Sequence, residues 1–244
     1  MKRMFGWILI TLVVAACTPV LPTLPAAPAE TIIQHTPALR YIENQIQACS
    51  LANSPLPVLV NEYPIDRMNA QSADITLVYE EPIDLSLPAF LLGEDKLVVI
   101  VNPQNKVSTI PLITLQGIFL GFITRWEEVD LSITQEISGR IEIWSYSQSD
   151  ELQKIIENRL NDAKPLSNQI NRADYPEMVK KMVADNPGSI GVIPSAYLTD
   201  DVKVVTIDGL PEQDLSLPII AQTRGQPGEK QTIILFCLQS PQNK

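Results

Sequence analysis

The chain has 244 residues, 45% hydrophobic and 19% charged, enough to build the core of one two-lobed domain or two small ones. Its 28 acidic residues outnumber 18 basic ones, giving a formal charge of −10, which argues against a nucleic-acid-binding surface. No period of about 20 to 50 residues recurs, which argues against a solenoid.

Lys2 and Arg3 precede an apolar run, Phe5–Val14, that is too short to span a bilayer. Val14-Ala15-Ala16 then places small residues directly before Cys17, so residues 1–16 read as a signal peptide. The segment is similar to a bacterial lipoprotein signal, in which Cys17 is lipidated and becomes the mature N-terminus; the alternative is an ordinary signal peptide with a chance cysteine. Within residues 17–30, Pro19, Pro22, Pro25 and Pro28 recur at every third position, the repeat of polyproline II. Such a tether is semi-rigid and reaches about 40 Å at ~3.1 Å per residue. It would hold an extracytoplasmic domain just off the cell membrane, anchored without crossing it.

Beyond the tether, strand and helix signals alternate. Thr31-Ile32-Ile33 reads as a strand, and Thr36-Pro37 opens a helix to about Cys49, with Leu39, Ile42 and Ile46 at helical spacing. Val58–Val60 and Asp74–Tyr79 read as strands two and three. Leu97–Val101 is a β-branched run ended by Asn102-Pro103, and Ile110–Phe119 has helical periodicity that Gly121 breaks before Trp126. A strand at Arg140–Ser145 leads to a helix at Asp150–Leu160. Asp174-Tyr175-Pro176-Glu177 has the form of a capping box opening a helix to about Ala184. Ser189–Ile193, Val202–Ile207 and Thr232–Cys237 read as strands. The alternation predicts an α/β protein with mostly parallel sheets.

Three stretches carry a family resemblance. VNPQNKVSTIPLITLQGIFLGFITRW, with Ile118, Phe119, Gly121, Ile123 and Trp126 in register, resembles the central segment of phosphate-binding proteins of ABC importers. Asn186–Leu198 resembles that family's Pro-Gly-x-Ile-Gly-Tyr segment through Pro187, Gly188, Ile190 and Gly191, with Val192 at the tyrosine position. QSADITLVYEEPI resembles the strand that enters a ligand loop. The resemblance implies a type II periplasmic-binding-protein fold: two α/β lobes joined by two crossover strands, with a ligand in the cleft. Leu97–Val101 would be the first crossover and Val202–Ile207 the return, giving one lobe of residues 31–98 and 205–244 and another of 99–204.

In such a cleft, anions sit at helix N-termini, where free N–H groups and the helix dipole converge. Thr36 stands at one such place, as a ligand contact or only as a cap. Glu80 stands at a second, in place of the family's proton-accepting aspartate or as part of a solvated turn with Glu81. The third is the loop Ser145–Asp150, offering Ser145, Ser147, Ser149 and Asp150. Here the family pattern of an arginine and a glycine nest is absent: Trp144 holds the arginine position, and Ser147 and Ser149 hold glycine positions. Asp150 and Glu151 at the helix start neutralise its dipole and repel a dianion.

The single histidine, His35, has no nucleophile elbow, P-loop, dinucleotide fingerprint or metal motif around it, so no catalytic residue, metal or cofactor is expected. With Cys17 lipidated, Cys49 and Cys237 remain, either as a disulfide or as two buried thiols. The expected protein is a lipid-anchored, monomeric solute-binding protein that captures phosphate or another polar solute and presents it to an ABC permease. The alternative is a ligand-free sensor or interaction scaffold of the same fold.

Overall fold

A computed structural model describes residues 30–52, 56–129 and 139–240. The proposed signal peptide, the Cys17 lipidation site and all of the tether except Glu30 lie outside these residues. The short β-branched runs become strands because alternating side chains fill the space on both faces of a twisted sheet. The elements run β1 (Thr31–His35), α1 (Glu43–Ala52), β2 (Val58–Glu62), β3 (Ile75–Tyr79), β4 (Ala89–Val101), β5 (Thr109–Pro111) and α2 (Leu112–Phe119). They continue with β6 (Glu142–Tyr146), α3 (Glu151–Leu160), β7 (Asn171–Ala173), α4 (Pro176–Asp185), β8 (Ser189–Pro194), β9 (Lys203–Asp208), β10 (Ser216–Thr223) and α5 (Glu229–Gln239).

The main strand path is β2-β1-β3-β10-β4-β8-β6-β7. Its two ends are parallel: β1 pairs with β2 and β3, and β6 with β7 and β8. The centre is antiparallel and is organised by β4, thirteen residues long. Residues Ala89–Lys96 of that strand pair with β10, while Leu97–Val101 pair with β8 and β9. One strand thus belongs to two α/β lobes, one built on β1–β3 and β10, the other on β6–β8. After β9, which pairs with β4 and β5, the chain passes through a 3-10 turn at Glu212–Leu215 and returns to the first lobe as β10.

Two family-like stretches meet in the second lobe. Trp126 is buried and its indole Nε1 donates to the Gly188 carbonyl at 2.9 Å. Gly191 on β8 lies under α4, where a Cβ would fall 2.6 Å from Val179 Cγ1, so the glycine lets helix and strand approach.

Four expectations are corrected. Thr232–Cys237 is helical, within α5, and buries Ile234, Leu235 and Leu238. A short apolar run carries no period of its own, and here the helix packs on α1 and β4. The helix expected from Thr36 opens as a 3-10 segment, Pro37–Ile42, and Thr36 makes no side-chain cap. Asp174 does not cap α4; Tyr175 stands at its N-cap. The helix expected from Ile110 begins at Leu112, Thr109–Pro111 being β5.

Cys49 of α1 and Cys237 of α5 are joined by a disulfide, with Cα atoms 5.8 Å apart. Among the described residues no helix is long and apolar enough to cross a membrane.

Candidate functional site

Parallel strands end on the same side of a sheet, so β1 and β3 deliver their C-terminal residues to one edge of the first lobe. There the Thr36 hydroxyl, buried just past β1, and the Tyr79 backbone N–H, at the end of β3, point to one place. The place is filled by a side chain of the other lobe. Glu151, first residue of α3, accepts from Thr36 Oγ1 at 2.7 Å through Oε2 and from Tyr79 N at 2.7 Å through Oε1. Glu151 is only 7% exposed. Burial pushes its carboxyl up to about 8, with Asp150 and Glu80 adding to the rise while the bonds from Thr36 and Tyr79 pull it down.

The helix that carries Glu151 starts there because Asp150 caps it, accepting from Leu152 N at 2.8 Å. Burial raises the Asp150 carboxyl to about 6, against the opposing backbone bonds from Leu152 and Gln153. Glu80, beside this point, takes the left-handed conformation (φ 61°), uncommon for a residue with a Cβ. Its carboxylate pairs with Arg159 of α3 at 2.8 Å, and Arg159 also donates to the Asp214 carbonyl at 3.0 Å.

Further contacts join the lobes around this centre. Asp95, next to the point where β4 changes lobe, accepts from Tyr79 Oη at 3.0 Å and from Ser195 Oγ and Ala196 N. Tyr197 Oη donates to the Ala38 carbonyl at 3.1 Å, and its ring meets Tyr41 edge-on at 5.4 Å. Arg40 holds Glu62 through two 2.7 Å bonds and lies 4.5 Å over the Tyr175 ring. A pocket of about 400 Å³ opens beside Glu151, lined in part by Ile65, Glu81, Ile83, Lys154 and Asn158. Its size suits a small molecule.

Of the sequence-predicted residues, Thr36, Glu80 and Asp150 gather at this centre. Ser145 is buried and donates to Gln153 Oε1 at 2.7 Å, which turns it into the protein interior. Ser147 and Ser149 are exposed on the loop before α3. Sequence reasoning placed Glu151 at the helix start but not across the cleft, and it missed the Tyr79 amide, Arg159 and Asp95. A backbone donor leaves no mark on residue identity. His35, Glu43 and Glu62 bring ligand atoms within 4.8 Å of one another, yet both Glu62 oxygens already accept from Arg40. Glu62 is thus engaged in an ion pair with Arg40, and His35 Nε2 lies 2.9 Å from Glu43 Oε1.

Two lobes sharing strand β4, with strand ends and a helix start converging between them, define the type II periplasmic-binding-protein fold. A protein from Clostridium perfringens, described as a phosphate ABC transporter substrate-binding protein and solved with bound phosphate, superposes with a TM-score of 0.74 at 18% identity, over 87% of this chain and 94% of that one. Reduced OxyR from N. meningitidis superposes with a TM-score of 0.62 at 13% identity, over 86% of this chain and 94% of that one. In sequence, the chain is 34% identical over 114 residues to the phosphate-binding protein PstS of Bacillus subtilis. That match covers 45% of this chain and 35% of the relative. No protein-family model matches the chain.

Proposed function

We propose that the chain is an exported, lipid-anchored solute-binding protein of the ABC-importer type, which captures a small polar solute between its lobes. Oxyanions of the phosphate class are the first candidates, on the strength of the similarity to PstS and of the expected anion geometry. In this reading residues 31–98 and 205–244 form one lobe and 99–204 the other. Cys17 carries the lipid, the chain acts as a monomer, and its partner is a membrane permease that receives the closed form. Thr36, Glu80, Ser147, Ser149 and Asp150 are the proposed surroundings of the solute, with the Tyr79 amide beside them. No covalent chemistry is part of the cycle.

One observation carries the reading: a buried hydroxyl and a strand-end amide of one lobe converge with a helix start of the other on a single point. One observation also favours a second reading, a ligand-free sensor or interaction scaffold: the chain's own carboxyl already satisfies those donors.

The full chain, purified from an exporting host, separates them. Thermal-shift and calorimetric titration with phosphate, sulfate, amino acids and sugars should find at least one solute that binds saturably. The mass of the N-terminal peptide should include acyl chains on Cys17. A folded sample that responds to none of these solutes would move the assignment to the scaffold.

A further inference from the structure

We propose that Glu151 determines the specificity of the cleft: its carboxyl group occupies the position of a bound oxyanion, so the chain carries a tethered stand-in for such a ligand. The inference rests on reading the cleft as a solute site. A carboxyl group and a phosphate share closely spaced acceptor oxygens, which is what two converging donors require. Here each oxygen takes one donor, at 2.7 Å, from a different strand end of the opposite lobe. These short bonds come from residues 115 and 72 positions away, so they are contacts of the fold and not of the helix that carries Glu151.

A structural carboxylate of a helix start has no need to cross the cleft. Asp150 already caps α3, and an acidic residue in the first turn meets the dipole from solvent. Glu151 instead is buried against the two groups that the opposite lobe offers to an anion. Being covalently attached, it holds a local concentration that a dilute free solute does not match. A free oxyanion must displace it, next to Asp150 and Glu80, whose carboxyl groups disfavour a second negative charge. The native chain therefore binds free phosphate more weakly than a chain without this carboxyl, whose removal uncovers the full oxyanion site.

The test uses the full chain and inorganic phosphate, with hydrogen exchange of the Tyr79 amide as the local readout and calorimetry as the global one. In Glu151→Ala that amide should exchange about tenfold faster than in the native chain, and added phosphate should slow it again. The phosphate dissociation constant of Glu151→Ala should fall about tenfold or more below the native value. Glu151→Gln keeps the side chain's volume but replaces one acceptor oxygen by an NH2 group, and should gain affinity by a smaller factor, which keeps the test open if the alanine variant does not fold. Unchanged Tyr79 exchange, or no gain of phosphate affinity in either variant, would overturn the proposal. Should another solute still saturate the native chain in that case, capture would stand and only the role of Glu151 would fall. Equal phosphate affinity in native chain and variants would have the same meaning.

Discussion

The Glu151 carboxyl titrates near pH 8 in the folded chain, against 4.5 for an unperturbed glutamate, because burial outweighs its two donors. A carboxyl raised on folding binds its proton more tightly in the folded state. Its stabilising effect is full below pH 4.5 and is lost as pH rises towards 8, each unit being worth about 1.4 kcal/mol. Asp150, raised to about 6, acts in the same direction. Glu62, lowered chiefly by its hydrogen bond from Arg40, acts in the opposite one, and its contribution is lost as pH falls through its folded value. Comparing native chain with Glu151→Gln isolates Glu151 from both. Urea unfolding from pH 4.5 to 8 should show the native chain losing stability relative to the variant, and a constant difference across that window would contradict the assignment.

At the scale of elements, the α4–β8 contact is the most exacting. Gly191→Ala would place a methyl 2.6 Å from Val179 Cγ1 and 3.1 Å from Val183 Cγ2, so the helix must lift off the strand. Overpacking of this kind costs about 1–3 kcal/mol, and the variant's urea midpoint should fall accordingly. That glycine was legible in the sequence, through the Asn186–Leu198 stretch, because a packing need restricts residue identity. Strands β1, β3 and β8 were legible for a similar reason, as β-branched runs between breakers. Strand β10 was not, since Pro218 interrupts SLPIIAQT and argues against a strand bonded on both sides. The run TIILFC reads as a strand by composition, and only its packing on α1 makes it helix. Of the cleft, the loops were legible and their occupant was not, because a glutamate at a helix start looks the same whether it faces water or an opposing strand end.

Across the whole molecule, two features tie distant parts together. Strand β4 hydrogen-bonds to both halves, so a disturbance at Asp95 reaches Tyr79 on one side and Ser195 on the other. The Cys49–Cys237 bridge closes 188 residues of chain and so restricts the unfolded state. Replacing both cysteines by serine should lower unfolding stability by about 2–5 kcal/mol, and an unchanged urea midpoint would count against that account.

The placement of Trp126, with its indole bonded to the Gly188 carbonyl, has an optical consequence. Trp126 and Trp144 are the tryptophans among the described residues, and both belong to the half built on β6 and β8. Their emission is a one-sided gauge. It follows the half that contributes Glu151 and is dark to the half that contributes Thr36 and Tyr79. Circular dichroism sees both halves, so a fluorescence midpoint that departs from the dichroism midpoint would mean that the halves melt separately.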